Sequence, residues 1–213
     1  MGRASAGRVG ARQVGSRKGG WGFQLYEVLV VLAILTITAA VGIPRLLDWT
    51  RGLRVDLAAN ELVGVLRRSR SYAVRHSTKV GVKFWPVPGK RVTFGLYRDG
   101  DGDGVRTRDI DSGVDLPVGP PQQLAHMGGH VRFGFPPGPA PKDPGDPSRR
   151  LDRLDDPIRF NRSDIASFNH LGGSTPGSLY LTDSQSHLSV VRLFGRTGKV
   201  KVLRYDPISE TWE

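Results

Sequence analysis

Gly22-Phe23-Gln24-Leu25-Tyr26-Glu27 runs straight into Val28-Leu29-Val30-Val31-Leu32-Ala33-Ile34-Leu35-Thr36-Ile37-Thr38-Ala39-Ala40-Val41-Gly42-Ile43-Pro44. From Phe23 to Ile43 there are 21 residues, and Glu27 is the one charge among them. As a helix the run is roughly 31 Å long, about the thickness of a bilayer's hydrocarbon core. A carboxylate in such a run costs a few kcal/mol, so it calls for a partner. Cutting between Gly22 and Phe23 creates an amino terminus one helical turn from Glu27. That cation, from the same or a neighbouring copy, would neutralise the acid.

Gly-Phe-x-Leu-x-Glu ahead of an apolar helix resembles the class III signal of type IV prepilins and type II secretion pseudopilins. The resemblance implies cleavage after Gly22 by a prepilin peptidase, N-methylation of Phe23 to N-methylphenylalanine, and Glu27 as the assembly glutamate. Pro44 stands where that superfamily commonly has a helix-loosening proline. Two plainer readings compete with it. One is a simple transmembrane anchor with a single stray acid. The other is a secretory signal peptide, with Thr38-Ala39-Ala40 loosely imitating its cleavage site; an acid near the start of the apolar run argues against it.

The chain has 213 residues, enough for one anchor and one modest domain. With 38% apolar residues it can bury an ordinary core but is no multi-span protein. The absence of cysteine excludes disulfides, thiolate metal sites and cysteine nucleophiles. Five basic residues (Arg3, Arg8, Arg12, Arg17, Lys18) and no acid precede Gly22. This head favours a cytoplasmic N-terminus, with the C-terminal domain on the periplasmic side of an inner membrane. Loss of residues 1–22 leaves 26 basic and 20 acidic residues, a net charge of +6.

Four segments are expected. Residues 1–22 form a basic leader, 23–44 a transmembrane helix and assembly segment, 45–76 an amphipathic continuation, and 77–213 an antiparallel β domain. The expected fold is α+β and type IV pilin-like: a long helix over 24–76, loosened near Gly42 and Pro44, packed on antiparallel sheets. Past Pro44, Leu47, Val55, Ala58, Leu62, Val65, Leu66, Ser69 and Ala73 recur at three- and four-residue steps and mark the packed stripe. Arg51, Arg54, Arg67, Arg68, Arg70 and Arg75 lie mostly off it, as a solvated face or as a surface for neighbours or lipid headgroups.

From Lys79 the period becomes two. Val80, Val82 and Phe84, then the turn Pro86-Val87-Pro88-Gly89, then Val92 to Arg98 predict a hairpin laid on the helix. Val131–Phe135, Ile158-Arg159-Phe160 and Ile165–Phe168 read as short strands, and Ser178–Thr182, Leu188–Phe194 and Val200–Tyr205 as a meander. The proline-rich stretch Pro136–Pro147 reads as a mobile surface excursion or a linker. Phe168-Asn169-x-x-Gly172-Gly173-Ser174-Thr175, Gly177-Ser178-Leu179-x-Leu181, Val190-Val191 and Thr197-Gly198-Lys199-Val200-Lys201-Val202 are similar to the C-terminal domain of protein H of type II secretion. A related minor pilin of type IV pili carries the same domain.

Asp99-Gly100-Asp101-Gly102-Asp103-Gly104 matches the opening of a calcium loop: oxygens at alternate positions, then a glycine for the sharp turn. Position twelve, normally a bidentate acid, is Ile110, flanked by Asp109 and Asp111. Calcium at Asp99, Asp101 and Asp103, or an acidic turn without metal, are the two readings. No other cofactor is expected. The five histidines show no ligand spacing and are taken as surface groups. No Gly-x-Ser-x-Gly elbow, P-loop or dinucleotide fingerprint occurs, so no enzyme is expected.

The family resemblance implies a minor pseudopilin of a type II secretion pseudopilus. Its partners would be other major and minor pseudopilins, the prepilin peptidase, the inner-membrane assembly platform and membrane lipid. Its place would be the inner membrane, spanned once, and its role protein secretion across the outer membrane. The alternative is a minor type IV pilin that binds DNA during natural transformation. In that case nucleic acid would meet Lys199 and Lys201, which stand where related minor pilins carry arginines, with Arg196 and Arg192 nearby. Lysine lacks their bidentate phosphate contact, and an ordinary charged hairpin accounts for the same residues.

Overall fold

Helix α1 runs from Leu25 to Arg75 in the computed structural model, which describes residues 25–85, 92–127, 130–161 and 163–213. Gly22, Phe23, the leader and the turn Pro86–Gly89 lie outside the described residues. By internal contacts the chain divides into Met1–Pro44 and Arg45–Glu213. In the first unit residues 25–44 are helical and exposed throughout. The Thr36 and Thr38 hydroxyls donate to the carbonyls of Leu32 and Ile34, four residues back, at 2.7 and 2.8 Å. Both hydroxyls are thus satisfied within the helix. The helix is long and apolar enough to cross a membrane. It continues through Gly42 and Pro44; the expected loosening does not end it, although proline withholds one donor from the ladder.

In the second unit α1 buries Val55, Ala58, Ala59, Leu62, Val63, Val65, Leu66, Ser69 and Ala73. The expected stripe is borne out from Val55 onward, but Leu47 is 52% exposed. Leu62 and Leu66 are fully buried, each stabilising the fold by about 1.5–3 kcal/mol. Polar contacts fix the same segment. Glu61 accepts from the amides of Ala125 and His126 at 2.7 and 2.8 Å. Arg70 Nε donates to the Gly172 carbonyl at 2.8 Å, and Asp56 pairs with Arg204 at 2.7 Å.

Among the described residues, thirteen strands and one short helix follow. They are β1 (Val80–Trp85), β2 (Thr93–Arg98), α2 (Thr107–Ser112), β3 (Leu116–Pro117), β4 (Gln122–Gln123), β5 (Arg132–Phe133), β6 (Lys142–Asp143), β7 (Asp146–Arg150), β8 (Ile158–Arg159), β9 (Ile165–Phe168), β10 (Gly177–Thr182), β11 (Leu188–Phe194), β12 (Lys199–Asp206) and β13 (Thr211–Trp212). Ladders between them are antiparallel throughout. One sheet has the order β3-β2-β1-β9, with β4 also on β2. The other has the order β13-β12-β11-β10-β5, with β8 also on β10. The α+β layout is therefore present: α1 packs against antiparallel sheets, with Val80, Val82 and Phe84 of one and Leu179, Leu181 and Val191 of the other in a common core with Leu62 and Leu66.

The second sheet buries both faces, following the alternation of side chains along a strand. Leu179 and Leu181 face α1; Tyr180, Leu188 and Val190 form a second cluster with Leu151, Phe135 and Trp212. Gly177, at the start of β10, is fixed by close approach. A Cβ there would lie 2.1 Å from the Phe160 ring and 2.4 Å from the Arg159 carbonyl oxygen.

The proline-rich stretch departs from the expected free excursion. Its end enters the hairpin β6–β7, a two-stranded sheet with β6 half-buried and β7 exposed. Prolines 144 and 147 sit where this edge ladder can do without their amide hydrogens. The hairpin is tied down: Trp212 Nε1 donates to the Lys142 carbonyl at 2.7 Å, and Arg192 donates to the Pro144 carbonyl at 2.6 Å. Glu210 pairs with Arg150 at 2.7 Å and with Lys142 at 3.6 Å.

Candidate functional site

The β1–β2 hairpin ends at Arg98 and leads into the acidic loop. Asp99, Asp101 and Asp103 each bring one carboxylate oxygen to within 4.8 Å of the others. The backbone explains the convergence. Gly102 and Gly104 have φ of +91° and +100°, where a side chain would be strained, so the chain can fold tightly around Asp99. Asp99 Oδ1 accepts from the Gly102 amide at 2.8 Å and Oδ2 from the Gly104 amide at 3.0 Å. Asp101 Oδ1 accepts from the Asp103 amide at 3.2 Å. Lys79 lies 3.7 Å from Asp99, and Arg106 pairs with Asp103.

Two further acids complete the neighbourhood, and neither falls where the loop motif looks for them. Asp115, 1% exposed, receives the Gly100 amide on Oδ1 at 3.1 Å and the Arg106 amide on Oδ2 at 2.9 Å, joining the two ends of the loop. Asp109 is turned inward on α2, whereas Asp111 is exposed. Desolvation pushes the Asp103 carboxyl up, Arg106 pulls it down, and Asp101 and Asp109 push it up again; the net pKa lies above the ordinary carboxylate value. Chemically this is a set of hard oxygen donors with net negative charge, suited to a hard cation. Beside it opens a polar cleft of about 460 Å³ bordered by Lys79, Asp103, Arg106, Asn161 and Asn169.

Glu27 lies in the first turn of α1, on an exposed position, and Pro44 lies inside that helix. Gly22 and Phe23 are outside the described residues. Arg196, Lys199 and Lys201 are exposed, and none of the three forms an ion pair among the described residues. Lys199 and Lys201 share one face of β12. Arg192, opposite Lys201, is already engaged by the Pro144 carbonyl and by the Phe194 ring 5.5 Å away.

One histidine differs from the expected surface group. His187 Nδ1 stands 3.0 Å from Asp183 Oδ2, and its Nε2 is 4.0 Å from Asp48 of α1. A Cβ on Gly52 would touch its ring at 3.0 Å. Asp183 also accepts the amides of Gln185, Ser186 and His187. Burial pushes the Asp183 carboxyl up, but the hydrogen bonds from Gln185, the His187 ring, and the His187 and Ser186 amides outweigh it and hold the pKa below the ordinary value. The sequence signal for this turn is an Asp-x-x-x-His spacing, which is common and uninformative without the fold. His76, His126, His130 and His170 are exposed.

Compared with protein-family models, curated proteins and solved structures, the chain finds no match.

Proposed function

We propose that this chain is a minor pseudopilin: a structural subunit of a type II secretion pseudopilus, trimmed and methylated at Phe23 and held by one helix in an inner membrane. The observation that carries the reading is helix α1. Its first part is exposed throughout and apolar but for Glu27 in its first turn, and its later part buries one stripe against antiparallel sheets. A subunit of this kind works by association and movement. Its partners are other pseudopilins, the prepilin peptidase, the assembly platform and lipid, and its globular part lies on the periplasmic side. The amino group made at Phe23 supplies a counter-charge for Glu27 as copies pack.

The test is Glu27→Leu. Membrane insertion persists in this variant, because it makes the segment more apolar. Recovery in sheared filaments and crosslinks to other pseudopilins are lost. Normal assembly of Glu27→Leu contradicts the role given to the acid.

A second reading, the DNA-binding minor pilin, draws on the exposure of Arg196, Lys199 and Lys201, none of which forms an ion pair among the described residues. It predicts duplex DNA binding that weakens steeply with salt.

A further inference from the structure

Asp109 is the group that the rest of the fold leaves unexplained. Its side chain is 6% exposed. Oδ1 is paired with Arg108 Nε at 3.0 Å, while Oδ2 has no hydrogen-bond partner. Among the described residues it is the only buried side-chain polar atom without one. An orphaned carboxylate oxygen out of water is unfavourable, and a fold retains one where something else satisfies it. The setting indicates what that is. The Asp109 carbonyl accepts the amide of Asp115 at 3.0 Å, and Asp115 in turn holds the Gly100 and Arg106 amides at the two ends of the loop, so α2 is fastened to the loop at Asp109; Asp109 also acts electrostatically on Asp103. Its carboxylate therefore belongs to the same acidic neighbourhood as the converged loop.

We propose that residues 99–109 form a calcium site in which Asp99, Asp101 and Asp103 bind from the loop and the free Oδ2 of Asp109 closes the shell from α2. Asp109 stands outside the closest group of three, so calcium draws it in. The closing acid sits at position eleven of the loop, one residue before the usual place, because α2 starts at Thr107 and turns Asp109 inward and Asp111 outward. Calcium fits better than magnesium: the donors are several hard oxygens on a flexible loop, and calcium tolerates the irregular, high coordination that magnesium refuses. Asp115 acts at one remove, by tying the amides of Gly100 and Arg106 together so that the loop keeps its shape. The proposal does not depend on the filament reading.

The test uses the full chain in detergent micelles, stripped with a chelator and titrated with calcium chloride or magnesium chloride, with binding and melting temperature as readouts. The expected result is one calcium per chain with a Kd of about 0.1–1 mM, the range of extracellular calcium modules, and at least about tenfold weaker magnesium binding. At ten times Kd, calcium raises the melting temperature by about 3–6 °C. Asp101→Asn and Asp109→Asn each weaken calcium binding by about tenfold or more, while Asp111→Asn stays within about twofold. Without metal, Asp109→Asn melts at or above the wild-type temperature, because it removes a buried negative charge whose Oδ2 is unsatisfied, while the Arg108 partner it leaves is largely exposed. Three results overturn the proposal: no saturable calcium binding by the wild type, an Asp109→Asn protein that binds calcium as the wild type does, or an Asp109→Asn protein that fails to fold or melts lower without metal.

Discussion

The two parts of α1 share one backbone conformation and differ in everything around it. Residues 25–44 are, but for Glu27, apolar all round and exposed throughout, whereas from Val55 to Ala73 the helix is apolar on one stripe and that stripe is buried. A helix apolar all round needs an apolar environment on every side; an amphipathic one needs a single packed face. The difference teaches that secondary structure is set by local pattern, while the medium each segment requires is set by how far round the helix the pattern reaches.

The sharpest way to break that comparison is to delete the same side chain from both parts. Leu62→Ala removes a fully buried group and should destabilise the β domain by about 2–5 kcal/mol in denaturant unfolding. Leu32→Ala, in the exposed part, should leave the same transition within about 0.5 kcal/mol. Equal losses would show that the two parts are not energetically distinct. Next in size is the sheet that covers the packed stripe. Gly177→Ala forces a Cβ against the Phe160 ring and the Arg159 carbonyl, and should cost about 1–3 kcal/mol.

A smaller effect concerns the turn that meets α1 soon after Pro44. The depressed pKa of Asp183 means that its ionised form stabilises the fold. That contribution is fully present above the unfolded-state pKa, about 4, and is lost as pH falls through the lower folded value. The melting temperature should therefore fall on acidification below about pH 4, and Asp183→Asn should flatten that limb. The smallest expected effect lies on the exposed face of β12. Lys199→Ala with Lys201→Ala should change stability by less than about 0.5 kcal/mol. Under the pseudopilin reading the wild type binds no duplex DNA at about 50 mM salt; saturable, salt-sensitive binding there would favour the DNA-uptake reading instead.

Much of this was legible from residues alone, because periodicity is local. The three- and four-residue steps of Val55, Ala58, Leu62 and Leu66 name the buried stripe, and the alternation in Val80–Trp85 and Leu188–Phe194 names strands. Leu47 continues the same step yet is exposed, since a helical repeat cannot say where its cover ends. The pairing of β9 with β1 is equally silent, for it joins segments some eighty residues apart. The hairpin β6–β7 was hidden by prolines that an inner strand forbids and an edge ladder tolerates. At the acidic loop the three alternate aspartates and their glycines were plain. Asp109 and Asp115 were not, because their orientation comes from a six-residue helix and from contacts across the loop rather than from motif spacing.

The account rests most heavily on how the apolar part of α1 begins in the mature protein. Intact and N-terminal peptide mass spectrometry of the chain recovered from inner membranes reads this directly. The account predicts a single mature species that starts at Phe23 and carries one methyl group on its amino terminus. A chain that retains residues 1–22, or one that is cut within the apolar run near Ala40, contradicts it.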